Sequence, residues 1–450
     1  MKKLIFNSAL LIIILLSGCN RDKQWINLIG KDLSNWEQIN GSARFELIDG
    51  EIIGTTVTES PNSFLCTKEK YDDFILEFET WFDPQVNSGV QIRSESRPDY
   101  QNGRVHGYQV EMDPSDRAWS GGIYDEARRG WLYPLDKNPE GRKALRVGDW
   151  NHFRVEATGN SIRTWINGIP CADLVDDLTP SGFIALQVHG IGSDSSKENL
   201  KIKWKNLRII TKNPSEYATP YKPLIPQYSF LNNELTDREK QEGWKLLFDG
   251  KSGAGWMSAK TGVFPESGWK ITDGSLALNP MSDGDTRGGD IVTSEKYGNF
   301  ELVTDFKYSE GGNSGIKYFV DIESENGALA SIGCEYQILD DRKHPDATAG
   351  TGGNHTLAGL YDLIPPVNVR DNGAGQWNRA IIIVNGNKVQ HWLNGQMTVE
   401  YERNTPEWRE MVAKSKYRDF KGFGEAESGR VLLQDHGDAV WFKNIKIREL

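Results

Sequence analysis

The amino-acid sequence predicts an all-β protein built from two tandem β-sandwich domains. Three observations support this prediction: the glycine and proline content, an alternation of apolar and polar residues in both halves, and one ordered set of motifs that occurs twice. The chain has 450 residues, with 46 glycines and 18 prolines, a composition that favours many short strands and turns over helical bundles. Its length suits two or three domains, each large enough to bury a core.

The repeated motifs define the domain organisation. Residues 87–90 (Asn-Ser-Gly-Val), 150–151 (Trp-Asn) and 187–190 (Gln-Val-His-Gly) return in the same order as residues 313–316 (Asn-Ser-Gly-Ile), 377–378 (Trp-Asn) and 434–437 (Gln-Asp-His-Gly). We therefore expect a first domain over 25–210 and a second over 243–450. Residues 211–242 hold four prolines and are expected to form a semi-rigid linker.

Alternation with a period of two places the strands. Phe74, Leu76 and Phe78 share one face of a predicted strand, with Glu77 and Glu79 on the other. The same pattern predicts strands over 153–157, 162–166, 184–188 and 202–209, echoed by 300–308, 380–384, 389–393, 431–434 and 440–447. Many short antiparallel strands without intervening helices are typical of a β-sandwich.

Two short helices interrupt the strands. Thr236 is a predicted N-cap whose capping box is closed by Glu239. Thr405 is a second predicted N-cap, with Pro406 as the first helical residue before a segment over 408–417. The second helix has no counterpart in the first copy.

The N-terminal residues have the pattern of a targeting segment. Lys2 and Lys3 precede an apolar run over 9–16, which is too short for a membrane span and is typical of a signal peptide over 1–18. The ending Leu-Ser-Gly-Cys resembles the bacterial lipobox, which implies lipidation of Cys19. We therefore expect a cell-envelope lipoprotein that contacts the membrane only through its lipid. Asn20 differs from the aspartate of inner-membrane retention and favours the outer membrane, facing the periplasm or the cell surface.

Composition also excludes several classes of function. The net charge is −11 and no basic block follows the N-terminus, so nucleic acid is not an expected partner. Cys66, Cys171 and Cys334 are widely spaced and predict small buried apolar residues in place of a zinc site. No phosphate-binding loop or zinc-protease motif occurs.

Polar residues at matched positions are the candidate site. Glu335 and Gln337 lie two residues apart on a predicted strand and therefore share a face. The first copy carries Gln109 and Glu111 in the swapped order. Gln434 and His436 recur in the same spacing as Gln187 and His189. For the first pairs the alternative is an ordinary solvated strand face, and for the histidines it is a buried ring that fixes a turn.

A second cluster follows in the second copy. Asp340, Asp341 and His344 bring two carboxylates and an imidazole into one short loop, which could hold a divalent cation or supply a base. The spacing matches no metal motif, and two aspartates at a strand end are also ordinary turn residues. His391 lies in a predicted strand where the first copy has Thr164.

These motifs resemble the bacterial 3-keto-disaccharide hydrolase domain family, formerly a domain of unknown function, which has a concanavalin-like jelly-roll fold. The second copy carries the motifs throughout, at 243–250 (Gly-Trp-Lys-Leu-Leu-Phe-Asp-Gly), 335–340, 391–395 (His-Trp-Leu-Asn-Gly) and 433–437. The first copy keeps 87–93, 150–151 and 187–190. It departs at Thr164, in the Glu/Gln order and in the missing helix.

The resemblance implies cleavage of glycosides already oxidised at C3, through C2 proton abstraction, elimination and hydration. We expect the base for this chemistry to be His436 or His391, because imidazole is readily tuned near neutrality. Glu335, Asp340 and His344 would hold the sugar or a divalent cation. The remaining candidates in the second copy bind sugar hydroxyls: Gln337, Tyr361, Asn313, Lys317 and Gln434. Those in the first copy are Glu111 and His189 for chemistry, and Arg93, Asn87, Tyr124 and Gln187 for binding.

Two other functions compete with this one. The main alternative is a non-catalytic carbohydrate-binding lipoprotein, because sandwiches of this kind bind sugars without chemistry. The other is a conventional glycosidase that uses two carboxylates about 5–10 Å apart, for which Glu335 and Asp340 would be the pair.

Overall fold

The computed structural model describes residues 24–278, 288–321 and 331–450. The predicted signal peptide over 1–18 and the lipidation site Cys19 lie outside these residues. The chain divides into two compact units, one up to Tyr228 and one from Ser229 onward. Each unit packs two antiparallel sheets, which confirms the predicted pair of concanavalin-like sandwiches. In the described part of the chain, no helix has both the length and the apolar character that a bilayer span requires.

The first unit contains the strands β1 (Ile26–Asn27), β2 (Trp36–Ile39), β3 (Arg44–Ile48), β4 (Glu51–Thr55), β5 (Ser63–Thr67), β6 (Phe74–Phe82), β7 (Ser88–Glu95), β8 (His106–Met112), β9 (Ile123–Glu126), β10 (Gly130–Tyr133), β11 (Asn151–Thr158), β12 (Ser161–Ile166), β13 (Ile169–Val175), β14 (Phe183–Val188) and β15 (Lys201–Ile210). They form a large sheet with the order β13-β12-β11-β6-β15-β4-β3, in which β1 lies beside β15, and a small sheet with the order β10-β9-β8-β7-β14-β5-β2. A short strand, β16 (Tyr228–Ser229), follows at the division of the units.

The second unit repeats this plan. Its strands are β17 (Lys245–Leu246), β18 (Trp256–Ser258), β19 (Trp269–Thr272), β20 (Ser275–Leu278), β21 (Ile291–Thr293), β22 (Phe300–Tyr308), β23 (Asn313–Val320), β24 (Cys334–Leu339), β25 (Asn378–Asn385), β26 (Lys388–Leu393), β27 (Gln396–Glu402), β28 (Arg430–Leu433) and β29 (Val440–Glu449). The large sheet has the order β19-β20-β29-β22-β25-β26-β27, with β17 beside β29, and the small sheet has the order β18-β21-β28-β23-β24. The helices are α1 (Asp237–Gln241) and α2 (Pro406–Ala413).

The core of each unit lies between its two sheets, because alternate residues of each strand are apolar and point inward. Phe74, Leu76 and Phe78 are fully buried in the first unit. In the second, the helix α2 adds Trp408, whose ring stacks 5.1 Å from that of Tyr401. Burial of the inner faces leaves the polar face of each small sheet available for a site.

Local signals predicted the helix caps well. Thr236 accepts from the backbone N of Glu239 and the reciprocal bond is present, which confirms the capping box. Thr405 caps α2 and Pro406 begins it. The helix ends at Ala413, earlier than the predicted segment over 408–417. The three internal cysteines are free and buried, as predicted.

The segment expected as a linker over 211–242 is hydrogen-bonded to the first unit in its first half and to the second unit in its second half. Thr219 donates from its backbone N to Glu156 at 2.8 Å in the first unit. Asn233 exchanges backbone and side-chain hydrogen bonds with Asn444 in the second. These contacts explain why residues 211–228 belong to the first compact unit and residues 229–242 to the second.

Candidate functional site

The candidate site of the second unit lies on the small sheet, on the face turned away from the core. Strands β23 and β24 pair Gly315 with Gln337 and Lys317 with Glu335. Their neighbours Ile316, Tyr318, Tyr336 and Ile338 belong to the hydrophobic core. Because successive side chains alternate between faces, Lys317, Glu335 and Gln337 share the opposite face. The structure thus brings three of the predicted site residues together.

This polar face is buried and incompletely hydrogen-bonded. Lys317 Nζ lies 3.8 Å from Glu335 Oε2. Gln337 Nε2 donates to Asn313 Oδ1 at 3.1 Å. In the described part of the chain, the buried Oε1 atoms of Gln337 and Gln434 have no hydrogen-bond partner. A buried carbonyl oxygen without a donor costs about 1–3 kcal/mol, so this face is suited to a hydroxyl-rich ligand.

Gly315 on β23 leaves room for the side chain of Glu335 on the neighbouring strand β24. A Cβ added to Gly315 would stand 2.2 Å from Glu335 Oε1. The same holds in the first unit, where a Cβ on Gly89 would meet Gln109 Cδ at 2.4 Å. The repeated Asn-Ser-Gly motif therefore lets a long polar side chain lie flat across the neighbouring strand.

A loop network forms one wall of the site, and sequence reasoning missed most of it. His355 bridges two carboxylates, with Nδ1 3.0 Å from Asp346 Oδ1 and Nε2 3.0 Å from Asp362 Oδ1. Tyr361, which was predicted, donates to Asp346 Oδ2 at 2.9 Å and stacks 4.3 Å from the His355 ring. Burial raises the pKa of Asp346, but hydrogen bonds from His355 and Tyr361 outweigh it and leave that pKa lowered. This network fixes the position of Tyr361.

Two histidines and an aspartate lie close together in the second unit. The rings of His344 and His436 are 5.9 Å apart and nearly perpendicular. His436 Nδ1 lies 3.9 Å from Asp438 Oδ2, and the His436 side chain is 47% exposed. Asp438 is itself held by the backbone N of Asn313 at 3.0 Å. An accessible imidazole beside a fixed carboxylate has the form of a general base.

Donor atoms of His344, His436 and Asp438 lie within 4.8 Å of one another, so a divalent cation must be considered. His344 Nδ1, however, accepts a hydrogen bond from the backbone N of Asp346 at 3.1 Å. The neutral ring then carries its proton on Nε2 and has no free lone pair. Only His436 and Asp438 remain as ligands, fewer than a protein cation site ordinarily uses. The arrangement does not fit a resident cation.

The predicted cation ligands Asp340 and Asp341 require correction. Asp340 accepts from the backbone N of Gly311 at 2.8 Å and of Arg342 at 3.1 Å. Asp341 accepts from the backbone N of Leu357 at 2.8 Å. Asp340 thus joins the turn at Gly311 to the one at Arg342, and Asp341 anchors the loop at Leu357. Among the described residues, neither belongs to the group of possible cation ligands around His344, and Asp340 is buried and out of reach of a sugar.

The prediction of His391 as a base was also wrong. Its side chain is 0% exposed and its Nε2 lies 2.7 Å from Tyr318 Oη, on the core side of the sandwich. Burial lowers the pKa of His391 to about 3, so the ring stays neutral and out of reach of a substrate. Thr164 takes the corresponding buried place in the first unit, where its hydroxyl donates to Gly121 O.

The first unit carries the same face with the acid and amide exchanged. Gly89 pairs with Glu111 and Gln91 with Gln109. Compared with the second unit, Gln109 takes the place of Glu335 and Glu111 that of Gln337, which is the swapped order the sequence predicted. Asn87 Nδ2 donates to Glu111 Oε1 at 2.7 Å, and Gln109 Nε2 donates to Glu111 Oε2 at 2.9 Å.

Burial raises the pKa of Glu111 to about 7, against the hydrogen bonds from Asn87 and Gln109 that lower it. The folded state therefore keeps a proton that the unfolded chain loses, and stability falls as pH rises from about 4.5 to 7. Glutamine does not titrate and already stands at this position in the second unit. We therefore expect the unfolding free energy of Glu111→Gln, taken relative to that of wild type, to be roughly 3 kcal/mol greater at pH 8 than at pH 4.

Calorimetry of the full chain at the two pH values checks this expectation. A stability difference between Glu111→Gln and wild type that is the same at pH 4 and pH 8 would contradict it. The matched control is Glu46→Gln on β3, since Glu46 is an exposed carboxylate.

Arg93, a predicted sugar-binding residue, serves the fold instead. Its Nε donates to Asp72 O and its Nη1 to Gly159 O, each at 2.7 Å, and its Nη2 pairs with Asp73 at 3.0 Å. The side chain is 1% exposed. All three nitrogens contact protein acceptors and the side chain is closed to solvent, so Arg93 ties the strand to two loops and is out of reach of a sugar.

The other predicted residues of the first unit lie together. Tyr124 pairs with Gln109 across the sheet, and its ring lies 5.3 Å from that of Trp131. Asn87 and His189 line a cleft of about 320 Å³, and Gln187 is fully buried on the adjoining strand β14. This unit thus has a recess as well as a polar face.

Comparison with known proteins finds one family model that matches both halves of the chain. The family model of the 3-keto-alpha-glucoside-1,2-lyase-like domain matches residues 24–210 and 243–448. A 3-keto-disaccharide hydrolase of Bacteroides thetaiotaomicron is 37% identical over 230 residues, covering 46% of this chain and 79% of that protein. A crystal structure from Parabacteroides distasonis ATCC 8503, classed as a glycosyl hydrolase, is 33% identical, covers 49% of this chain and 99% of its own, and has a TM-score of 0.43. A second such structure from that organism is 28% identical, with coverages of 46% and 99% and a TM-score of 0.34.

Proposed function

We propose, from the premise that this chain belongs to the 3-keto-alpha-glucoside-1,2-lyase-like domain family, that it hydrolyses 3-keto-glycosides or 3-keto-disaccharides at the cell envelope. The observation that carries the proposal is the ion pair of Lys317 and Glu335 on a buried polar face whose glutamine oxygens lack donors. The envelope location rests on the lipobox that ends at Cys19.

The chemistry begins with the acidity that a C3 ketone confers on the C2 proton. His436 takes that proton, and the electron pair moves to the C3 oxygen as an enolate. The enolate then re-forms the C3 ketone and a C1–C2 double bond as it expels the C1 substituent, which takes a proton from water. The resulting hydroxide adds to C1 and the protonated His436 returns its proton to C2, which gives the free 3-keto sugar and restores the neutral imidazole. The demanding step is proton removal, since it needs a base and a positive group at the same time.

The residues divide these tasks by position. His436 is accessible and has Asp438 beside its Nδ1, which favours the tautomer with Nε2 free to accept a proton. Lys317 supplies the positive charge for the enolate oxygen, and Glu335 holds Lys317 in place. Gln337, Asn313, Gln434 and Tyr361 bind hydroxyl groups. Because Lys317 provides the charge, no step passes through a metal, and a chelator should leave turnover unchanged.

A direct assay tests the function. The full chain should release the aglycone from an aryl 3-keto-glucoside, and it should not release it from the same glucoside with C3 reduced. Equal release from both would indicate a conventional glycosidase. Binding without release from either would indicate a carbohydrate-binding lipoprotein and would end the enzymatic proposal.

Lys317→Met tests the enolate role. Methionine keeps most of the length of the side chain and removes its charge, so kcat on the 3-keto-glucoside should fall about 100-fold with little change in KM. Lys307→Met is the matched control, since Lys307 lies on β22 in the large sheet against Trp377 and Trp441. A Lys317→Met protein with the wild-type kcat would remove Lys317 from the mechanism.

A further inference from the structure

We propose that the first unit binds a neutral glycoside without cleaving it, so that the second unit alone performs the turnover. The proposal rests on the proposed function of the second unit. It concerns the cleft of the first unit, defined by Asn87, Asp113, Ser115, His189 and Lys197 among its lining residues.

The first unit lacks the reactive groups of the second. Gln91 stands where the second unit has Lys317, so the uncharged amide leaves a developing enolate without its cation. Ile191 stands where the second unit has Asp438. Within the described ranges, no carboxylate forms an ion pair with His189, whose Nδ1 lies 2.8 Å from Gly190 O. The Gly190 carbonyl can fix the ring with its proton on Nδ1, but His189 lacks the carboxylate that would stabilise the imidazolium formed when it takes up a proton.

Arg117 does not replace the missing lysine. Its Nε donates to Asp113 Oδ2 at 2.7 Å, and its Nη2 lies 3.4 Å from Glu111 Oε1. The guanidinium also lies 5.0 Å from the Trp119 ring and 4.8 Å from the Trp131 ring. Asp113 already neutralises its charge, and the aromatic rings hold it in place.

The binding features are nevertheless kept. Leu186 pairs with Val90, which places Gln187 beside Gly89, and Gly89 pairs with Glu111. Gln187 is 0% exposed, and in the described part of the chain neither its Oε1 nor its Nε2 has a hydrogen-bond partner. A carboxamide offers one acceptor and two donors, which matches the neighbouring hydroxyl groups of an unoxidised pyranose.

The charges of the cleft select a neutral sugar. Asp113 lines the cleft as a carboxylate and is already paired with Arg117, whose Nε lies 2.7 Å from its Oδ2. Lys197, the lining lysine, lies 3.7 Å from Asp194 and is partly neutralised. A uronic acid or a sulfated sugar would therefore find no unpaired lysine or arginine among the lining residues to balance its negative charge.

To test the proposal, the Ser115→Trp substitution blocks the cleft and leaves the buried polar face of the small sheet unchanged. Ser115 is exposed and its backbone N donates to Asp113 Oδ1 at 3.0 Å. Ser34 is the matched control, since it is exposed and its backbone N donates to Asp32 Oδ1 at 2.9 Å. Full-length wild type, Ser115→Trp and Ser34→Trp are titrated calorimetrically with maltose, cellobiose, sucrose and trehalose, and with a uronic-acid disaccharide.

We expect wild type and Ser34→Trp to bind at least one neutral disaccharide at one site per chain. Ser115→Trp should bind it at least tenfold more weakly, while all three proteins release aglycone from the 3-keto-glucoside at equal rates. Gln187→Met is a second variant, measured for binding alone, and should also lose at least tenfold in affinity.

Two results would overturn the proposal: no neutral disaccharide bound by wild type, or aglycone release that falls in Ser115→Trp in step with binding. The second would show that the first unit is catalytic. If wild type binds the sugar, Ser115→Trp does not, and no protein releases aglycone, the function proposed for the second unit fails while the binding role of the first stands.

Discussion

Replacing His436 by alanine should lower kcat on a 3-keto-glucoside by about 10²–10⁴-fold, the range usual for the loss of a general base. His436 is a predicted site histidine that remains accessible and has a carboxylate, Asp438, 3.9 Å away. KM should change little, because the imidazole acts on the C2 proton in the transition state and contributes little to binding the sugar hydroxyls.

The matched control is His152→Ala. His152 is 45% exposed and lies 3.7 Å from Glu77, so it resembles His436 in exposure and in having a carboxylate neighbour, but it stands on β11 in the large sheet of the first unit. Its loss should leave kcat within a factor of two. Steady-state kinetics of both variants decide the matter, and a His436→Ala enzyme as fast as wild type would exclude His436 as the base.

Removing the buried guanidinium of Arg379 should cost the second unit about 3–5 kcal/mol of unfolding free energy. Arg379 donates to both oxygens of Asp305, at 2.6 and 2.9 Å, and to Ser229 O at 2.9 Å. Burial raises the pKa of Asp305, but the charge and hydrogen bonds of Arg379 outweigh it and leave that pKa lowered. In Arg379→Met the carboxylate remains buried with the hydrogen bond from Asn444 and without its counter-charge.

The loss should be greater at neutral pH than in acid. A carboxyl group with a lowered folded pKa contributes stability above its unfolded pKa and loses that contribution as the pH falls. Arg448→Met is the control, since Arg448 Nη2 lies 2.7 Å from Glu301 but its side chain is 30% exposed. That variant should lose less than about 1 kcal/mol in urea denaturation. Equal losses in the two variants would show that burial of the Asp305 pair does not matter.

Much of the fold could be predicted from local patterns. The strands predicted over 380–384 and 389–393 are found as β25 and β26 with bounds differing by one or two residues. Alternation has a period of two only in a strand with one buried face, so the pattern reports both the element and its orientation. For the same reason the swap of Glu335 and Gln337 against Gln109 and Glu111 could be predicted, and the register confirms it.

The errors concern side chains whose environment depends on distant segments. His391 belongs to a motif of the family that the second copy resembles, yet Tyr318 and Tyr401 contact its ring from other strands on the core side. Arg93 lies on the strand that forms the site, but a positive φ of 45° marks an irregularity there, and its nitrogens reach two loops. The bridge of Asp346, His355 and Asp362 was missed because its members are spaced by a loop and follow no period.

By itself the sequence determined a duplicated sandwich, its strands and caps, and which polar residues share one face, since these follow from periodicity and spacing along the chain. Only the tertiary structure decided that His436 is accessible while His391 is not, and that Lys317 stands beside Glu335. The physical reason is that burial and charge pairing depend on atoms brought together from remote parts of the chain, and no local pattern encodes their distances.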